Sequence, residues 1–95
     1  MTLTVIAKMT AKPGSEARLR GSLTGLVEPS LTESGCHAYR VYTAADHPAS
    51  IALIEEWTDE AALQQHYGTP HFKEVAGQLD ELLAEPLAVK YYNER

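Results

Sequence analysis

Residues 35–72 read GCHAYRVYTAADHPASIALIEEWTDEAALQQHYGTPHF. Tyr39, Val41 and Thr43 alternate with Ala38, Arg40 and Tyr42, a period of two that predicts a strand over residues 36–44. Residues 46–49, with Pro48, make a connection short enough for a hairpin. A further strand is predicted over 51–57, placing Ile51, Leu53, Glu55 and Trp57 on one face. The period then changes. Thr58 can cap a short helix whose inner face carries Ala62, Leu63, His66 and Tyr67. Gly68 ends that helix, and Thr69 with Pro70 supply a cap and first-turn proline for another.

Both flanks complete the pattern. Residues 2–11 alternate Leu3, Val5, Ala7 and Met9 against Thr4, Ile6 and Lys8, a strand closed by Pro13 and Gly14. From Ser15 onward Leu19, Leu23, Leu26 and Val27 recur at helical spacing opposite Glu16, Arg18, Arg20 and Glu28, and Pro29 is expected to kink or end that helix. Downstream, Phe72, Val75, Ala76, Leu79, Leu82 and Leu83 form a helical stripe that Glu85 and Pro86 stop, and residues 87–92 alternate as a last strand. The order is β-α-β-β-α-β with a broken second helix: an α+β, ferredoxin-like, split βαβ fold in a single domain over 1–95.

A chain of 95 residues builds one modest core, and its single cysteine, Cys36, excludes an internal disulfide and every multi-cysteine metal pattern. Homodimerisation is therefore expected as the source of added stability. Eight Lys and Arg residues are dispersed among thirteen acids, for a net charge of −5, so no basic patch offers itself to phosphates and nucleic-acid binding is not expected. No run is long enough to span a membrane and the opening strand lacks the features of a secretory leader, which predicts a cytoplasmic protein.

The segment 35–72 resembles the antibiotic biosynthesis monooxygenase (ABM) family. The similarity rests on Gly35 before the second strand, Tyr39 and Tyr42 on it, Glu55-x-Trp57 ending the third, and His66 followed by Pro70, His71 and Phe72; Lys-Pro-Gly at 12–14 and Val-Glu-Pro at 27–29 extend it. The resemblance implies a dimeric α+β barrel with a pocket between sheet and helices in each subunit. It further implies oxidation of a small quinol or polyphenolic aromatic by dioxygen without a cofactor. Family relatives that degrade haem use an Asn on the first strand and a His on the last helix; both are missing here, so haem chemistry is disfavoured.

Such a reaction needs a base to take a phenolic proton and a dry pocket for the resulting anion, because ground-state dioxygen reacts only with an electron-rich partner. His66, one turn after Ala62 and Leu63, can face the sheet and is the first candidate for the base, against the plainer reading of a buried, hydrogen-bonded histidine. Glu55 could orient it, or could be a strand-end carboxylate with no such task. His71, in a helix's first turn, is held neutral by the helix dipole and suits hydrogen bonding to a phenol, although such histidines are often structural. Trp57, Tyr39, Tyr67 and Phe72 are the expected substrate-binding surface, with Trp57 and Phe72 also serving the core.

No nucleotide-binding glycine motif is present, so no cofactor is expected. No metal is expected either: His66 and His71 stand five apart across a helix break, which does not set two rings on one helical face as the four-residue zinc spacing does. Cys36, just past a turn, reads as a buried small residue. Two other functional classes remain open on the residues alone, a non-catalytic module holding a small hydrophobic ligand and a cofactor-free isomerase or decarboxylase.

Overall fold

The computed structural model describes residues 2–95. Its elements are β1 (Leu3–Thr10), α1 (Glu16–Thr24), α2 (Val27–Leu31), β2 (Cys36–Ala44), β3 (His47–Trp57), α3 (Glu60–Tyr67), α4 (Pro70–Ala76), α5 (Leu79–Leu82) and β4 (Ala88–Asn93). All strand pairs are antiparallel, in the order β2-β3-β1-β4. This is the ferredoxin-like sheet expected from the strand and helix order.

The two-residue alternation separates the faces as anticipated. Val5, Ala7 and Met9 of β1, Tyr39 of β2 and Ile51, Leu53, Glu55 and Trp57 of β3 are buried on the face that the helices cover. Leu19, Leu23 and Leu26 close over them from α1 and the turn after it. On the opposite face Tyr42 and Tyr92 are about half exposed, and the half-buried Ile6 and Ile54 pair across β1 and β3.

Four local expectations are corrected. Pro29 does not end a helix: α1 stops at Thr24, and Pro29 lies in the first turn of α2, where its missing N–H leaves no intrahelical bond unmade. The hairpin connection shrinks to Ala45 and Asp46, since Ala44 pairs with His47; Pro48 falls at a register shift of β3, where no ladder bond asks for its N–H. Asp59, not Thr58, caps α3, its carboxylate accepting from the Ala62 N–H at 2.9 Å, while Thr58 Oγ1 bonds the His37 ring at 2.7 Å. The last helical stripe is broken a second time at Gly77 and Gln78, giving α4 and α5.

The break between α3 and α4 keeps its predicted form. Thr69 Oγ1 accepts from the Phe72 N–H at 3.3 Å, with Pro70 in the first turn. This redirects the chain so that Tyr67, at the end of one helix, and Phe72, in the first turn of the next, face the same interior. Among the described residues no helix is long and apolar enough to cross a membrane.

Candidate active site

Between the covered face of the sheet and the helices lies a cavity of about 320 Å³. Aliphatic side chains form most of its wall, including Val5, Met9 and Leu53 from the sheet and Leu23 from α1. Tyr39, Tyr67 and Phe72 add aromatic surface. Among the described residues lining it, Glu55 alone is ionisable as an acid or base near neutral pH.

Glu55 reaches this place because β3 alternates: its neighbours Ile54 and Glu56 face the other way, and Leu53 and Trp57 share its side. Only 6% of it is exposed. Burial pushes its carboxyl up to about 7; the Trp57 indole N–H, donating to Oε1 at 2.9 Å, offsets part of that, and the charge of Glu33 adds to it. A carboxyl so tuned exchanges a proton near neutrality, and its second oxygen is not engaged by the indole. Tyr39, buried and also facing the Glu55 carboxylate, has its phenol pushed far up, so it stays a neutral hydroxyl. Burial holds the Tyr67 phenol up too, and its hydroxyl lies 3.4 Å from that of Tyr91.

The two histidines stand elsewhere. His66 is fully buried and is not among the residues that line the cavity. Its ring lies 4.6 Å from that of Trp57, 5.1 Å from Phe72 and 5.5 Å from Tyr39, behind the aromatic wall. Its Nδ1 is 2.8 Å from Glu33 Oε2, and His71 Nε2 is 2.7 Å from the same oxygen. Burial holds the His66 imidazole below the usual histidine range despite this carboxylate, so the neutral ring is favoured near neutral pH.

The residues singled out in the sequence thus form two groups. Glu55, Tyr39, Tyr67 and Phe72 meet in the cavity; His66 and His71 meet outside it, with Trp57 packed between, against His66 and bonded to Glu55. Glu33 partners the histidine that Glu55 had been expected to orient. Sequence reasoning missed it, since its partners lie 33 and 38 positions on and its own turn carries no periodic signal. The two histidine rings stand on different helices and share no helical face, yet the turn at Gly68 brings both onto one carboxylate, which the spacing alone does not reveal. Cys36 is only partly buried, short of the full burial expected, and its thiol is pushed up to about 11 by burial and by the charges of Glu33 and Glu55.

Known proteins share this arrangement of chain and sheet. "Putative monooxygenase Rv0793" of Mycobacterium tuberculosis is 35% identical over 85 residues, 90% of this chain and 83% of that protein. Its solved structure superposes with a TM-score of 0.94, covering 100% of this chain and 96% of that one. "Probable quinol monooxygenase YgiN" of Escherichia coli is 36% identical over 81 residues, 75% of this chain and 78% of that protein. The structure of PA3566 from Pseudomonas aeruginosa, 33% identical, gives a TM-score of 0.93 over 99% of this chain and 94% of that one. The model of one family, "Antibiotic biosynthesis monooxygenase", matches residues 2–78, a span that takes in the whole β-α-β-β unit, Glu33, Glu55 and both histidines. With that match and these relatives, the chain belongs to the antibiotic biosynthesis monooxygenase family.

Proposed function

We propose that the chain is a cofactor-independent monooxygenase that oxidises a small quinol or polyphenolic aromatic with dioxygen. The observation that carries this reading is the lone carboxyl of Glu55, tuned to about 7, in an otherwise apolar and aromatic cavity. Such a site accepts a flat ring by stacking and dispersion and offers one group to exchange its phenolic proton. The relative named as a quinol monooxygenase supports the substrate class.

In this proposal Glu55 takes the phenolic proton. The phenolate carbon bonds to dioxygen, the resulting hydroperoxide loses water as its O–O bond breaks, and a quinone carbonyl forms; all four electrons come from the substrate, so no external reductant is consumed. Tyr39 and Tyr67 remain neutral and act as hydrogen-bonding and stacking surface, with Phe72 completing the aromatic wall. The base is therefore placed at Glu55, which touches the cavity, and not at His66, which does not. His66 becomes a positioning residue. It packs against Trp57, whose indole N–H fixes Glu55, and Glu33 with His71 holds it from behind.

The test is oxygen uptake by protein treated with a chelator and supplied with a chemically reduced two-ring quinol, with no flavin or metal added. Uptake coupled one-to-one to an oxygenated quinone supports the proposal. Ligand binding without uptake would make the chain a binding module, and conversion of the ligand under argon would make it an isomerase or decarboxylase.

The pairing of two subunits through the outer sheet face belongs to the same reading. Tyr42 and Tyr92 each remain nearly half exposed there beside Ile6 and Ile54. Sedimentation at micromolar concentration is expected to give a dimer, and Ile54→Glu a monomer. A folded wild-type monomer would count against it.

A further inference from the structure

We infer that Glu33, His66 and His71 form a binding site for a late first-row divalent cation such as Zn²⁺ or Co²⁺, on the outer side of the aromatic wall and apart from the cavity. The three ligand atoms, Glu33 Oε2, His66 Nδ1 and His71 Nε2, all lie within 4.8 Å of one another. They come from three separate parts of the fold: the turn before β2, the last turn of α3 and the first turn of α4. Two imidazole nitrogens and one carboxylate oxygen suit Zn²⁺, Co²⁺, Ni²⁺ or Cu²⁺ over Mg²⁺ and Ca²⁺, which favour all-oxygen shells. His66 is sealed, while the side chains of Glu33 and His71 are 15% and 26% exposed, leaving an approach from solvent.

The buried ring supplies an independent reason. Among the described residues His66 Nε2 is buried with no hydrogen-bond partner, amid the rings of Trp57, Phe72 and Tyr39. With the proton on Nδ1, Glu33 is satisfied but the Nε2 lone pair is buried without a donor. With the proton on Nε2, that N–H sits among aromatic rings, a weakly favourable contact, but Nδ1 then meets the carboxylate oxygen lone pair to lone pair at 2.8 Å. A cation shared by Nδ1, Oε2 and the His71 nitrogen removes that repulsion and keeps the N–H inward.

The contacts of 2.7 and 2.8 Å are hydrogen-bond lengths. Tetrahedral zinc, with bonds of about 2.0–2.2 Å, holds its ligand atoms roughly 3.3 Å apart. Loading therefore asks the two Glu33 contacts to lengthen by about half an ångström and the two imidazole nitrogens, which lie within 4.8 Å of each other, to settle at the same spacing by ring rotation, with water completing the shell.

Tag-free protein should be titrated with Co²⁺ by visible absorption and with Zn²⁺ by calorimetry. One cation per chain is expected, with X-ray absorption of the zinc-loaded wild type showing two imidazoles and an oxygen shell. Glu33→Gln and His71→Ala should each weaken Zn²⁺ binding at least about tenfold, whereas His37→Ala, which alters the exposed histidine beside Thr58, should leave it unchanged. Absence of stoichiometric binding would overturn the inference. So would equal affinity in the Glu33 and His71 variants, or fewer than two imidazoles around the wild-type zinc, a readout that does not depend on any variant folding.

Discussion

Glu55→Gln is expected to lower quinol turnover by about a hundredfold or more, the scale for loss of a general base, while the fold survives. Glutamine keeps the length and the oxygen that accepts from the Trp57 indole, so the substitution removes proton exchange and little else. The pH profile makes the test specific. A base must be ionised to act, so kcat/KM of the wild type should rise as pH passes through about 7, and Glu55→Gln should lose that limb. His66→Ala should retain the limb near pH 7 even if its rate falls, because a positioning residue alters the height of the profile and not the group that titrates. If His66→Ala abolished the limb and Glu55→Gln kept it, the base would be His66 after all.

Stability gives Glu55 a second signature, opposite in sign to the catalytic one. Its folded pKa lies above its ordinary value of 4.5, so between about 4.5 and 7 the folded chain holds more protons than the unfolded chain. Stability from this group is therefore greatest below pH 4.5, falls as pH rises toward 7 and is level above it, by at most about 3 kcal/mol. Glu55→Gln carries no such penalty. At pH 8 it should unfold at equal or higher urea concentration than the wild type while being the poorer catalyst, a combination that general damage to the fold cannot produce.

How far the sequence speaks depends on the range of the interaction. The face of every strand is set by a period of two, and Glu55 shares its buried side with Leu53 and Trp57 as the pattern requires. The cap at Thr69 and the break at Gly68 are local and equally readable. The cap at α3, expected at Thr58, falls one residue later because Thr58 is drawn to His37 and Gly35, leaving Asp59, an equally good cap by type, to the helix. Which of Glu55 and His66 meets the cavity is a different matter. Both lie on inward faces, and only the packing of Trp57 against His66 puts one in front of the wall and the other behind it. Glu33 has no local signal at all, because its meaning comes from two rings brought to it by chain reversal.

Gly35 shows how tightly that packing is fixed, and Gly35→Ala is expected to destabilise the chain by about 1–3 kcal/mol, the usual cost of overpacking. A Cβ built at Gly35 would overlap the Cβ of Ala62 on α3. Neither side can easily yield. The Gly35 carbonyl accepts from the Thr58 N–H at 2.8 Å, and the Ala62 N–H is held by the Asp59 cap at 2.9 Å, so strand entrance and helix start are pinned within a few residues of their contact. The need here is for space and not for an unusual backbone, which makes the effect separable by a double-mutant cycle. Ala62→Gly alone should cost about 0.5–1 kcal/mol through helix propensity. Combined with Gly35→Ala it should restore most of the lost stability, since the methyl group has only changed sides. Urea denaturation of the four proteins measures the coupling, expected at about 1–2 kcal/mol in favour of the double variant. Simple additivity would mean that α3 slides to accommodate the methyl. Because Leu63, His66 and Tyr67 ride on α3, Gly35→Ala should also reduce quinol turnover, and the second substitution should bring it back.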